Sequence, residues 1–91
     1  MDIGILSHRH APEIILAVGD DPGHTIRHYT TVPTDKGGAP SPTLQMRVIE
    51  LADAGILAVS AGMVRGKPAR LITLTDKGAT IYRLLDIIRG L

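Results

Sequence analysis

Cysteine, phenylalanine and tryptophan are all missing from this chain, and tyrosine occurs only twice. Without cysteine there is no disulfide framework, no cysteine-rich zinc site and no thiol nucleophile, a composition in keeping with a reducing cytoplasm. With so few aromatic rings, stacking on unpaired bases is a poor mode of binding, which argues against single-strand nucleic-acid modules of the RRM or OB type. Long apolar runs are absent as well. The opening stretch "MDIGILSHRH" carries an acid at its second position and reads neither as a secretory signal nor as a membrane anchor. A cytoplasmic protein without a membrane partner is the expectation. Charge of one sign is lacking too: ten Lys and Arg stand against nine Asp and Glu. Any surface for a polyanion must therefore come from local grouping.

What is present fits one small domain spanning residues 1–91, with a core of Leu, Ile, Val, Ala and Met. "PEIILAV" at 12–18 reads as a short helix, with Pro12 in its first turn, Glu13 at its positive end and Gly19 at its exit. After the turn formers "GDDPG", the stretch "HTIRHYTT" offers Ile26, Tyr29 and Thr30 as one face of a second short helix, although its β-branched content also suits a strand. Residues 32–42, with three prolines and the pair Gly37-Gly38, read as a loop.

In "SPTLQMRVIELADAGIL" at 41–57, Ser41 is a good N-cap and Pro42 a natural first residue for a helix over about 42–54. Leu44, Val48, Leu51 and Ala52 recur at helical spacing, Thr43, Gln45, Met46, Arg47, Glu50 and Asp53 lie opposite, and Gly55 suits a left-handed cap. "ILAVS" at 56–60 and "RLITLT" at 70–75 read as strands, joined by a loop "AGMVRGKPA" broken by Gly62, Gly66 and Pro68. Thr75 can then cap a last helix over about 76–90, with Asp76 at its start and Arg83 and Arg89 toward its end.

Three phrases carry a family likeness: "SPTLQMRVIELADAGIL", "VRGKPARLITLT" and "LTDKGATIYRLL". In this order the chain resembles the winged helix-turn-helix DNA-binding domain of prokaryotic transcription regulators, in the broad company of the MarR and ArsR types. The resemblance covers residues 41–85; ahead of residue 41 it extends only to helix lengths and spacing. It implies an α+β fold, a three-helix core with a two-stranded hairpin wing at about 56–75 and a C-terminal helix. It also implies sequence-specific binding of double-stranded DNA, the recognition helix lying in the major groove and the basic wing on the backbone or in the minor groove.

On this reading the DNA-facing residues are Ser41, Thr43, Gln45, Met46 and Arg47 on the recognition helix, with Arg65, Lys67 and Arg70 on the wing. Gln45 suits adenine, Arg47 suits guanine or a phosphate, and Thr43 or Met46 a thymine methyl. A helix with a polar outer face is more often simply solvated, and winged helices also serve as protein-docking modules, so a protein-interaction module within a larger complex stands as the alternative. The connection from Val32 to Pro40 is longer than the usual helix-turn-helix turn unless "PTDKGGAP" is an insertion. Lys36 with the following glycines is no P-loop and reads as surface loop.

Four histidines, His8, His10, His24 and His28, fall in the first third. On a helix His24 and His28 would share one face, as a metal pair does. With no cysteine and no carboxylate pattern beside them, the expectation is no metal site, with Arg27 and His28 read as phosphate neighbours or solvent-facing side chains. Ser7 and Ser60 have no nucleophile context and no carboxylate pair shares an apolar pocket, so no enzymatic activity, cofactor or small-molecule effector is expected. Ile81, Leu84, Leu85, Ile87, Ile88 and Leu91 give the last helix a broader apolar face than one small core needs, and this predicts a homodimer through that helix.

Overall fold

The computed structural model describes residues 10–34 and 37–91. Ser7, His8 and Lys36 lie outside the described residues. The chain runs α1 (Ala11–Asp20), β1 (His24–Thr25), α2 (Ile26–Thr30), β2 (Thr31–Thr34), β3 (Gly37–Pro40), α3 (Pro42–Asp53), β4 (Leu57–Val64), β5 (Lys67–Leu74) and α4 (Asp76–Arg89). Among the described residues it is an α+β arrangement of four helices and an antiparallel sheet of order β1-β5-β4.

Each helix buries one stripe. Ala11, Ile14, Ile15 and Val18 of α1 meet Val48 and Leu51 of α3, Ile56 and Leu57 at the start of β4, Ile72 of β5 and Ile81 of α4. These positions recur three or four residues apart on the helices, as burial of one helical face requires. The fully buried hydroxyl of Thr30 is satisfied locally, donating to the Ile26 carbonyl at 2.7 Å.

The exit of α3 is fixed by its sequence. Gly55, at φ 77°, donates to the Ala52 carbonyl, and Ile56 donates to that of Leu51, which together form a Schellman motif whose Leu51 and Ile56 both belong to the buried core. The phrase "LTDKG" then locks onto this exit. Thr75 accepts from the Gly78 amide at 3.0 Å as the N-cap of α4 and donates to the Gly55 carbonyl, while Lys77 Nζ reaches the Ala54 carbonyl at 2.9 Å. Farther along α4, Tyr82 at its middle and Arg89 at its end both bond Asp20 at the end of α1, at 2.7 Å each. Arg89 and Tyr82 hold the Asp20 carboxyl down at about 2, and the same carboxylate, with Asp86, holds Arg89 firmly protonated.

Three expectations need correction. The segment "HTIRHYTT" is strand and then helix: His24 and Thr25 pair with Ile72 and Leu71 of β5, so the hairpin expected as a two-stranded wing belongs to a three-stranded sheet, and only Ile26–Thr30 is helical. The loop assigned to 32–42 contains a hairpin, with β2 and β3 paired from Thr31↔Pro40 to Thr34↔Gly37. Prolines are tolerated there because both strands are edges. The Ser41 amide donates to the Thr30 carbonyl at 2.8 Å, and alternation along the ladder from that bonded pair puts Pro40 and Pro33 at non-bonded positions, where no N–H is needed.

The third correction concerns the hairpin of β4 and β5. The loop assigned to 61–69 shrinks to two residues, since β4 runs to Val64 and β5 starts at Lys67. Arg65 and Gly66, at φ 52° and 76°, form a turn of the type I′ pattern that suits a two-residue hairpin. Pro68, opposite Met63, stands one pair beyond the closing Val64↔Lys67 pair and again falls where no donor is required. Gly62 is retained within the strand because the Leu71 side chain occupies the space a Cβ would take.

Candidate nucleic-acid interface

The N-terminal half of α3 is anchored by its own cap. Ser41 accepts from the Leu44 amide at 3.3 Å, so its hydroxyl oxygen is engaged in the helix start. Leu44, Val48, Leu51 and Ala52 turn inward as their spacing predicts. Thr43 and Met46 are exposed, Met46 at 60%. Gln45 and Arg47 are only half-buried, on the flanks of the exposed stripe. The Arg47 guanidinium donates to Glu50 at 2.6 Å, so it presents a charge already engaged within the helix. Ile49, to which the sequence pattern gives no role, stands on the exposed side at 56%.

The three cations expected on a wing do not form one patch. Arg65, Lys67 and Arg70 are all exposed, but Lys67 and Arg70 are three residues apart on one strand and project from opposite faces of the sheet. Arg65, at the turn, joins α2: with Val64 it lines an open cleft of about 600 Å³ whose other walls are His24, Thr25, Arg27, His28 and Thr31. Arg70 instead lines a groove of about 370 Å³ between α3 and the sheet, together with Ile26, Val48, Ile49, Ala52, Asp53, Val59 and Ile72. That groove is mostly apolar. Val59 and Met63, facing the same side of the sheet as Arg70 by strand alternation, are both exposed.

Residues 21–28 form a second constellation. His24 lies on β1 and His28 on α2, so they do not share a helix, yet their rings stack with centroids 3.9 Å apart. Asp21 completes the group. Its Oδ2 lies 2.9 Å from His24 Nε2 and 3.6 Å from His28 Nε2. The expectation that no carboxylate stands beside the histidines is thus corrected: the "DD" of the turn supplies one, and the spacing Asp-x-x-His-x-x-x-His is the signal that could have found it.

Below this group sits Tyr29. Its hydroxyl donates to the Asp21 carbonyl at 2.5 Å and accepts from the His24 amide at 3.1 Å. Burial raises the Tyr29 pKa above its ordinary value. His10 is separate, bonded to Glu13 at 3.1 Å. Among the described residues, no helix is long and apolar enough to cross a membrane.

No family model matches the chain, and no curated protein matches its sequence. Among solved structures, the chain is similar to the crystal structure of a conserved protein of unknown function described as a potential transcriptional factor, with a TM-score of 0.54 and 19% identity. The match covers 88% of this chain and 72% of that one. At this identity the likeness concerns the fold: a small α+β arrangement compatible with a winged helix.

Proposed function

We propose that this chain is a winged-helix protein that binds double-stranded DNA as a small transcriptional regulator, without enzymatic activity. The observation that carries the reading is the cleft shared by α2 and the turn of the hairpin, where Arg27 and Arg65 come to one surface although they are 38 positions apart in sequence. Two cations held on different elements suit the phosphates of a duplex, and the outer face of α3 offers Thr43 and Met46 at its start. On this reading α3 addresses the major groove. Gln45 and Arg47 reach base edges or phosphates from its flanks, Arg47 after exchanging Glu50 for DNA. Arg65 and Lys67 meet the backbone or the adjacent minor groove, and Arg70 and Ser41 lie at the margin of the contact. The fold likeness to a potential transcriptional factor supports this reading.

A second reading is favoured by a different observation. Met46, Ile49, Val59 and Met63 are all exposed, around or beside the apolar groove between α3 and the sheet. Such a surface suits a protein partner better than a polyanion. Duplex affinity measured across a series of salt concentrations separates the two. DNA binding predicts affinity falling steeply with salt, whereas no duplex binding at low salt leaves the protein-interaction module.

The outer face of α4 supports a homodimer. Leu84, Ile87, Ile88 and Leu91 are exposed there, Ile87 at 64%. A two-fold pairing through α4 would give two copies of α3 for two half-sites of an operator.

A further inference from the structure

The geometry points to a divalent metal site formed by Asp21, His24 and His28, taking a borderline transition ion of the Zn²⁺ class. The three side chains each offer one ligand atom, and those atoms all lie within 4.8 Å of one another. Ligand bonds of about 2.0–2.1 Å at tetrahedral angles place neighbouring ligand atoms roughly 3.3 Å apart. The observed separations from Asp21 Oδ2, 2.9 Å and 3.6 Å, bracket that spacing. Two imidazoles and one carboxylate are a donor set of the kind that catalytic and exchangeable zinc sites use, with the fourth position left to water or an incoming ligand. His24 and His28 also line the cleft that holds Arg27 and Arg65, which suits water or an anion as a further ligand.

An ordinary surface ion pair would need one histidine, not two converging on the same carboxylate oxygen. The backbone beneath is also fixed without any ion. Tyr29 bridges the Asp21 carbonyl and the His24 amide through one hydroxyl, Gly23 donates to the Ile72 carbonyl at 3.0 Å, and the His28 amide donates to the Thr25 hydroxyl at 3.3 Å. The ligands therefore start near their bound positions, and the ordering cost of binding falls. The ion would tie the turn after α1 to β1 and α2. All three ligands are exposed or half-exposed, so their replacement leaves the core untouched.

The experiment is a calorimetric titration of the full chain with ZnCl₂, run beside Asp21→Asn, His24→Ala, His28→Ala and His10→Ala, with circular dichroism confirming the fold of each. Co²⁺ provides a second readout through the intensity of its visible d–d absorption, which reports tetrahedral coordination. One equivalent of Zn²⁺ is expected to bind saturably, with affinity more than about tenfold weaker in each of the three ligand variants and unchanged in His10→Ala. Absence of saturable binding would overturn the assignment. So would binding that survives at full affinity in any of the three ligand variants, or that disappears in His10→Ala.

Discussion

The Ser41 amide and the Thr30 carbonyl are joined by a 2.8 Å hydrogen bond that closes the base of the β2–β3 hairpin. Because of this bond, the end of α2 and the start of α3 meet as though the ten residues between Thr30 and Ser41 were absent. The hairpin is a lateral insertion, and α2 and α3 remain packed against each other across it. Excising Pro33 to Gly38 and joining Val32 to Ala39 through Asn-Gly keeps the bonded Val32↔Ala39 pair next to a type I′ turn. The shortened chain is expected to match the parent within about 1 kcal/mol in urea unfolding, since loop-closure entropy changes slowly with length. Loss of cooperative unfolding would show that the hairpin is part of the core.

At the junction between α3 and α4, one hydroxyl serves both helices. Thr75 caps α4 and also bonds back to Gly55 and Ile56. Thr75→Ala is expected to cost roughly 1–2 kcal/mol, the upper part of the range for a lost cap, and Thr75→Ser to recover most of it. Equal loss in both variants would mean that the methyl group, not the hydroxyl, matters here.

Leu51 has no exposed surface and closes the C-terminal motif of α3 against Ile56. Leu51→Ala is expected to destabilise the fold by about 2–5 kcal/mol, read from the midpoint of chemical unfolding. A loss below about 1 kcal/mol would contradict its place at the centre of the core.

The α4 surface gives an equally direct test. Sedimentation velocity is expected to show a dimer at micromolar concentration. Ile87→Glu is expected to convert it to monomer without changing the circular dichroism spectrum, because that side chain is outside the monomer's own core. A monomeric parent protein at the same concentration would remove the dimer.

Periodicity and capping make α1, α3 and α4 legible in the sequence, since Pro12, Ser41 with Pro42, and Thr75 mark their starts. The two hairpins are harder to read because proline and glycine signal both loops and edge strands. Pro33, Pro40 and Pro68 sit at ladder positions that ask for no donor, a distinction that composition does not carry. Nor does local pattern reveal β1, two residues long and defined by its partners Ile72 and Leu71, 46 to 48 residues away. At the candidate site, the outward position of Thr43 and Met46 follows from the stripe of Leu44, Val48 and Leu51. The engagement of Arg47 by Glu50 and the splitting of Lys67 from Arg70 depend on how elements and side chains meet in space, whereas the grouping of Asp21 with His24 and His28 is carried by their spacing.

Arg65 offers the cleanest measurement of DNA binding. At φ 52° it occupies a conformation that asparagine adopts more readily, so Arg65→Asn removes the charge while favouring the turn. Titrating duplex DNA against the parent chain and this variant at several salt concentrations therefore separates charge from fold. The parent's affinity is expected to fall steeply with salt. The variant, folded at least as stably, is expected to bind all sequences more weakly, with a salt slope shallower by about one. Duplex affinity that is absent at low salt, or that is unchanged in magnitude and slope by Arg65→Asn, would contradict the assignment of this surface to DNA.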